Sequence, residues 1–173
     1  MSDRLRRNWN RATTVLVALV VVLAVLLGGV RLVGLTPYTV LSGSMEPTYH
    51  VGALLYVKTV DCAELRVGDP ITFRLNADTV ATHRIVEILS DGTDTLRFRT
   101  KGDANSEVDG DPVREANVIG KPVFTIPLLG YLAVFLQNPP GTYLAIAAGA
   151  VLLILIFLPD LLSREEKRSE EEK

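Results

Sequence analysis

Residues 95–100 read Thr-Leu-Arg-Phe-Arg-Thr, and this short stretch decides the fold class of the region around it. Leu96 and Phe98 alternate with two arginines, and such a period of two is typical of a β-strand with one buried face. Similar runs rich in β-branched and apolar residues occur at residues 53–57, 71–73 and 80–89, with turn signals at 67–70 and 90–92. We therefore predict a mainly β fold, with a small all-β domain at residues 35–138.

Two long apolar stretches flank this β region. Residues 12–30 contain no charged side chain, and a helix needs about 20 apolar residues to cross a bilayer. The apolar part of a cleaved signal peptide is only about 7–15 residues long, so we predict an uncleaved transmembrane anchor at residues 12–34. Residues 122–159 are also uncharged, but Asn-Pro-Pro-Gly interrupts them. Because a helix does not continue smoothly through two prolines, we predict a second transmembrane helix at residues 139–160.

The charged flanks predict how these spans are oriented. Four arginines precede the first span, namely Arg4, Arg6, Arg7 and Arg11. Three cations follow the second span, namely Arg164, Lys167 and Arg168. The positive-inside rule then places both termini in the cytoplasm, as a basic tail at residues 1–11 and a charged tail at 161–173. The β domain of this multi-pass cell-membrane protein would face the extracytoplasmic side.

Composition argues against several classes of function. The formal net charge is −2, so no basic surface points to nucleic-acid binding. Cys62 is the single cysteine, which leaves no intrachain disulfide and no Cys/His metal cluster. Carboxylates crowd residues 103–111, but the glutamate at the twelfth position of an EF-hand loop is missing. We predict no metal site and no cofactor, with weak cation binding by that loop as a minor hypothesis.

Three patches could carry the chemistry of a serine hydrolase. Ser44 lies in Ser-Gly-Ser-Met-Glu-Pro, shortly after the first span. The chain has two histidines; His83 lies in a predicted strand, whereas His50 follows Ser44 too closely for a triad, whose members normally come from separate elements. One carboxylate of residues 103–111 would accept the ring N–H of the base. Taken singly, these patterns are more typical of a turn, a strand histidine and a solvated loop.

Taken together, the patches resemble the type I signal peptidase family, in the branch found in archaea and the endoplasmic reticulum. Segments that resemble the family's boxes follow one another in the family's order: 42–47 (Ser-x-Ser-Met-x-Pro), 67–73 (Gly-Asp strand), 82–85 (the base), 101–109 (Gly-Asp-x-Asn-x-x-x-Asp) and 124–131 (closing segment). Pro70 departs from the pattern, since an apolar residue that donates to the sheet commonly stands there. A proline in a strand favours its first residue or an edge position.

The resemblance implies a membrane-bound serine endopeptidase that removes signal peptides from exported preproteins. In this interpretation Ser44 attacks the scissile carbonyl, and His83 is the base where the bacterial branch has a lysine. Asp109 is the first choice to orient His83, and Asp103 supports it structurally or catalytically. The Ser42 hydroxyl and the Ser44 backbone N–H are candidate donors to the oxyanion.

The resemblance also implies partners, and two other functions stay open. The implied partners are signal-peptide-bearing preproteins and membrane lipid, with association with the protein-export machinery left open. One alternative is a catalytically idle, membrane-anchored β-domain that binds exported chains or a translocation partner. The other is a membrane protease dedicated to a few substrates, which the sequence does not separate from a general signal peptidase.

Overall fold

The computed structural model describes residues 3–90 and 95–171, with the side chains of residues 4–90 and 95–157. The turn predicted at residues 90–92 and the outermost residues of the two predicted tails therefore lie partly outside the described residues. Within the described ranges the elements follow in the order α1 (Asp3–Leu27), β1 (Leu35–Thr39), β2 (Leu54–Lys58), β3 (Pro70–Arg74), β4 (Val80–Ser90), β5 (Leu96–Lys101), β6 (Val113–Arg114), β7 (Val118–Ile126), α2 (Leu129–Gln137) and α3 (Gly141–Glu171).

The strands form one seven-stranded sheet among the described residues, in the order β1-β2-β7-β3-β4-β5-β6. All neighbouring pairs are antiparallel. The prediction of a mainly β fold is confirmed, and the four predicted strands correspond to β2, β3, β4 and β5. Pro70 is the first residue of β3, a position where proline does not interrupt the sheet hydrogen bonds.

Three strands lacked a clear signal in the sequence. Strand β1 contains Pro37, which the sheet accommodates because β1 lies at its edge. Strand β6 has only two residues, too few for any alternation to be recognised. Strand β7 contains Gly120 and Pro122, two residue types that strands generally disfavour.

Two apolar clusters stabilise the compact unit that holds the sheet, Leu27–Val134. The first lies on strands β3, β4 and β5, where Ile71, Ile85 and Phe98 are almost completely buried. The alternation at residues 95–100 is visible in strand β5, because Phe98 and Thr100 are buried while Arg97 and Arg99 are exposed. This cluster positions the middle of β4, which carries one of the candidate site residues.

The second cluster joins β2 to the segments at the two ends of this unit. It contains Val30, Leu54, Tyr56 and Ala133, and the ring of Tyr56 stacks on Phe124 with centroids 4.3 Å apart. Val30 belongs to a single 3₁₀ turn after α1, and Ala133 belongs to α2. The cluster therefore fixes both ends of the β unit to its sheet.

The other compact unit contains Met1–Leu26 and Phe135–Lys173. Within the described residues, Arg4–Leu27 is the one helical stretch that is by itself long and apolar enough to cross a membrane, with a mean hydropathy of 2.2. Helix α1 begins inside the predicted basic tail, because arginine is a good helix former. Helix α2 and the Gly141–Phe157 part of α3 meet the same criteria only together, with a bend of 91° at the break. Two flanking spans remain a prediction.

A hydrogen bond joins α1 to α3 within this unit. The indole Nε1 of Trp9 donates to the backbone oxygen of Leu155 at 3.1 Å. In an α-helix that oxygen accepts from the N–H four residues later, and residue 159 is a proline, which has no N–H. An unpaired carbonyl in an apolar environment costs several kcal/mol. Trp9 therefore satisfies the carbonyl that Pro159 leaves without its intrahelical donor.

Trp9→Phe is expected to weaken the packing of α1 against α3 by about 0.5–1.5 kcal/mol, the usual net contribution of one hydrogen bond. Pro159→Ala restores the intrahelical donor to Leu155, so the same Trp9 substitution should cost clearly less in that background. A double-mutant cycle of unfolding free energies in detergent micelles measures the difference. An equal cost of Trp9→Phe in both backgrounds would contradict this explanation.

Candidate active site

Ser44 lies in the loop that joins β1 and β2. Met45 anchors the loop, because its side chain is only 2% exposed. The N–H of Glu46 donates to the oxygen of Gly43, and that of Tyr49 donates to the oxygen of Met45, both at 3.0 Å. These local bonds hold the half-buried Ser44 on a tight turn.

Glycine at position 52 allows this loop to return into β2. Gly52 has a φ of +82°, which side chains other than glycine rarely adopt. A Cβ atom there would lie 1.9 Å from the ring of Tyr131. The N–H of Gly52 donates to the oxygen of Val40 at 2.8 Å, so the ends of the loop are tied together.

His83 lies on β4, between β3 and β5. It pairs in register with Ile71, and its ring packs edge-on against Phe73 with centroids 6.2 Å apart. Only 15% of the side chain is exposed. Because β4 is paired on both sides, the ring is held by the sheet and the apolar cluster together.

Ser44, His83 and Asp109 are joined by hydrogen bonds. His83 Nδ1 lies 2.6 Å from Asp109 Oδ2, and His83 Nε2 lies 3.2 Å from Ser44 Oγ. A carboxylate can only accept, so Nδ1 carries the proton of the neutral ring and Nε2 accepts from the Ser44 hydroxyl. The distances fall within the reach required of a general base and its nucleophile.

Asp109 is held in place by Thr100. The Thr100 hydroxyl donates to Asp109 Oδ2 at 2.6 Å, and the Asp109 N–H donates to the Thr100 carbonyl at 2.9 Å. The Asp109 side chain is 24% exposed. The carboxylate therefore reaches His83 from a loop that is fixed at Asp109 itself to the end of β5.

Asp103 has a different partner. Arg84 donates to both of its carboxylate oxygens, from Nε at 2.8 Å and from Nη2 at 2.6 Å. Thr48 donates to Asp103 Oδ2 at 2.5 Å, and Arg84 Nη1 also donates to the carbonyl of Gly68 at 2.8 Å. Asp103 thus joins β4 to the Ser44 loop and, through Arg84, to the turn before β3.

The charge of Asp103 is stabilised by these contacts. The hydrogen bonds from Arg84 lower the pKa of Asp103 most, burial opposes them, and the Thr48 hydroxyl and the nearby charges of Arg84 and His83 lower it further. Asp69 follows a similar pattern: burial raises its pKa, but Lys121, which donates to it at 2.6 Å, and the N–H of Arg66 bring the net shift below the ordinary value.

Acidification is expected to destabilise the β unit through Asp103. Its folded pKa lies below the ordinary value of 3.8, so its contribution is present above that value and is lost as pH falls through the lower folded pKa. Thermal unfolding followed by circular dichroism between about pH 5 and pH 2 should show a steeper fall in Tm for the wild type than for Asp103→Asn. Parallel curves would contradict this role of Asp103.

Gly102 lets the acidic loop approach the serine. The N–H of Ala104 donates to the carbonyl of Ser44 at 2.9 Å. A Cβ atom at Gly102 would lie 2.6 Å from that same carbonyl oxygen and 2.7 Å from the side chain of Asn105. The absence of a side chain here is therefore a requirement of the site.

The two remaining candidates lie on the Ser44 loop. Ser42 Oγ lies 3.3 Å from Ser44 Oγ, close enough to act beside it. His50 instead contacts Glu46, with 2.5 Å between Nδ1 and Oε2, and its side chain is 65% exposed. The structure thus brings Ser42, Ser44, His83 and Asp109 together, whereas Asp103 forms an ion pair with Arg84.

Sequence reasoning missed three residues that support the site: Thr48, Arg84 and Thr100. The first two have no local signal, because their partners lie far along the chain. Thr100 did have a local signal, since it follows Leu96 and Phe98 on the buried face of the alternating stretch. Threonine is polar, and a buried polar side chain requires a partner.

The carboxylates at 103–111 are not arranged around a cation. Across residues 3–90 and 95–171, no group of three or more His, Cys, Asp or Glu side chains is placed to hold a metal ion. Asp103 and Asp109 instead contact Arg84 and His83. Two of the carboxylates in this loop therefore make separate contacts.

Comparison with known proteins decides the family. The sequence model of one family, described as signal peptidase, peptidase S26, matches residues 11–117. The chain belongs to the signal peptidase family, peptidase S26. The predicted resemblance to this family is confirmed, and the match includes Ser44, His83 and Asp109.

Individual members of the family are also similar. Signal peptidase I W of Bacillus subtilis (strain 168) is 51% identical over 86 residues, which are 49% of this chain and 45% of that protein. The human signal peptidase complex catalytic subunit SEC11C is 29% identical over 126 residues, 66% of this chain and 65% of that protein. The sec11 catalytic subunit of Pyrenophora teres f. teres (strain 0-1) is 34% identical over 110 residues, 58% of this chain and 63% of that protein. The chain thus spans about half to just under two thirds of these relatives, and the SEC11 subunits agree with the predicted branch.

Proposed function

We propose that this chain is a membrane-bound serine endopeptidase that removes signal peptides from exported preproteins, with Ser44 as nucleophile and His83 as general base. The hydrogen-bonded series Ser44–His83–Asp109 carries this proposal. Membership of the signal peptidase family supports the substrate class. An idle binding domain would have no need for a serine, a histidine and a carboxylate aligned in this order.

The geometry supports a two-step acyl transfer. His83 Nε2 takes the proton of Ser44 Oγ as that oxygen attacks the scissile carbonyl, and the imidazolium so formed is stabilised by the carboxylate of Asp109. His83 then gives the proton to the leaving amine, which leaves the signal peptide as an ester on Ser44. A water molecule, deprotonated by His83, hydrolyses this ester and frees Ser44.

The contact between Ser42 and Ser44 supports a role for the Ser42 hydroxyl as a donor to the oxyanion. The Ser44 hydroxyl donates to His83 before the reaction, so the contact between the two serines must use the proton of Ser42. When Ser44 Oγ becomes bonded to the substrate carbon, the Ser42 hydroxyl can turn to the neighbouring oxyanion, beside the Ser44 backbone N–H. Loss of one such donor typically costs about 2.7–4 kcal/mol of transition-state stabilisation.

The topology is part of the same proposal. The apolar Arg4–Leu27 stretch supports an anchor in the membrane, and the flanking cations place both termini in the cytoplasm and the site on the extracytoplasmic side. α3 supplies the second span of a multi-pass protein. The SEC11 relatives are described as subunits of a signal peptidase complex, which supports association with accessory subunits or the protein-export machinery. The apolar Arg4–Leu27 stretch supports contact with membrane lipid.

Cleavage of a preprotein tests the proposal. The purified, detergent-solubilised chain is incubated with a signal-bearing preprotein, and new N-termini are mapped by mass spectrometry. A single cut after a small residue is expected, together with labelling of Ser44 by an acylating probe. Binding of the preprotein without a cut, and without labelling of Ser44, would favour the idle binding domain instead. A panel of unrelated signal peptides then separates a general enzyme from a dedicated one.

A further inference from the structure

We propose that Thr100 is a positioning residue of this catalytic site: its hydroxyl and its carbonyl fix Asp109, and through Asp109 the ring of His83. The inference deepens the proposed function and rests on it. Neither the pattern of the family's boxes nor the residues predicted from the sequence include Thr100.

Thr100 occupies a position where packing alone would favour an apolar residue. It is the last residue of the stretch 95–100 and is 0% exposed, as is Phe98 on the same face of β5. In the sheet it pairs with Ile85, which is 1% exposed. A valine of similar shape would fill this place without burying a hydroxyl, which costs free energy unless it is hydrogen-bonded. Packing therefore does not explain why a threonine, with its hydroxyl, occupies this position.

The register explains why this hydroxyl lies at the site. Alternate residues of a strand share a face, so His83 and Ile85 project from the same side of β4. Since Thr100 is opposite Ile85 in the neighbouring strand, its side chain lies on that side too. The strands thus bring Thr100 to the carboxylate that contacts His83.

Thr100 holds Asp109 at two points. The main-chain bond from the Asp109 N–H to the Thr100 carbonyl, at 2.9 Å, fixes the backbone. The side-chain bond from Thr100 Oγ1 to Asp109 Oδ2, at 2.6 Å, fixes the rotation of the carboxylate. Oδ2 is also the oxygen that accepts from His83 Nδ1 at 2.6 Å. One oxygen receives both donors, so the direction of the Thr100 O–H bond constrains where the imidazole can lie.

Loss of the hydroxyl should loosen this arrangement without removing any group that touches the substrate. A carboxylate without the Thr100 donor can rotate toward water, because its side chain is 24% exposed. His83 then loses its fixed orientation toward Ser44, which affects the chemical step more than substrate binding. A purely structural role of Thr100 would instead lower stability and leave kcat per folded molecule unchanged.

Three variants separate these roles. Thr100→Val is expected to lower kcat by about ten- to a hundredfold, the range that corresponds to one hydrogen bond to a charged group, with KM nearly unchanged. Thr100→Ser keeps the donor and should restore most of kcat. Thr72→Val is the matched control: Thr72 is equally buried, but its hydroxyl contacts Thr82 at 2.8 Å and not Asp109. Thermal unfolding confirms that each variant is folded.

A spectroscopic measurement tests the contact apart from cleavage. The chain has two histidines, so the Nδ1–H proton of His83 can be assigned by NMR with the help of His50→Gln. Thr100→Val should shift or broaden this resonance, and Thr72→Val should not. If the wild type fails to cleave any preprotein, the proposed function fails, and an unchanged resonance in Thr100→Val then overturns the positioning role as well. If the wild type cleaves, an unchanged kcat in folded Thr100→Val, or no rescue in folded Thr100→Ser, overturns the inference alone.

Discussion

Ser44→Ala and His83→Gln are each expected to lower kcat for a signal-bearing preprotein by on the order of 10⁶-fold, the effect of removing the serine or the histidine of the triad in subtilisin. In the proposed mechanism the first removes the oxygen that forms the ester, and the second removes the acceptor 3.2 Å from that oxygen. Single-turnover cleavage at saturating enzyme measures both effects.

The double variant gives the sharper result. Because the two side chains act as a unit, Ser44→Ala/His83→Gln should be no slower than either single variant. His50→Gln is the matched control, since His50 lies on the same loop but contacts Glu46; it should retain nearly all of the wild-type activity. Multiplying losses in the double variant, or a large loss in His50→Gln, would exclude the assigned pair.

Asp109→Asn is expected to lower kcat by about 10⁴-fold, the effect of the same change in a serine protease triad. An asparagine can donate to Nδ1, which would place the ring proton on Nε2, where it points at Ser44 and prevents proton acceptance. Asp103→Asn should affect kcat far less and stability more, because Asp103 contacts Arg84 and Thr48 and not the ring.

Measurement of kcat and thermal unfolding on both variants separates the two carboxylates. The expected pattern is an inactive but stable Asp109→Asn beside a destabilised Asp103→Asn that, while folded, cleaves at a rate nearer to that of the wild type. The reverse pattern would make Asp103 the partner of His83 in the working enzyme. Equal kcat losses with unchanged stability would show that the Arg84–Asp103 contact is part of the reaction itself.

The sequence by itself determined the structural features that depend only on residues close together along the chain. The period-two alternation at residues 95–100 is a local property of a strand with one buried face, so it predicts β structure without any knowledge of partners. The length of the uncharged stretch from residue 12 likewise marks a helix suited to a bilayer. Strand β1, with its proline, and the two-residue β6 lacked such a signal, since only their pairing partners define them.

For the site, the sequence supplied the candidates, and the tertiary structure showed which of them lie together. Because the chain has two histidines, the candidate base His83 could be predicted from composition and from its position in a strand. The resemblance favoured Asp109 over Asp103, but the loop sequence alone did not separate them, because loop side chains follow no period and their directions depend on contacts that the loop makes elsewhere. Those contacts link residues 19 to 55 positions apart, such as Arg84 to Asp103 and Thr48 to Asp103.

Thr100 shows most clearly how far local sequence predicts the site. Its place on the buried face follows from the alternation that begins at Leu96, but the carboxylate that its hydroxyl meets is supplied by a separate loop. Local pattern sets which way a strand residue faces. The group that such a residue meets depends on distant segments of the chain. Here the sheet register, the close approach allowed by Gly102 and the Arg84–Asp103 contact bring those segments together. Only the packed chain therefore determines which polar groups share one buried space.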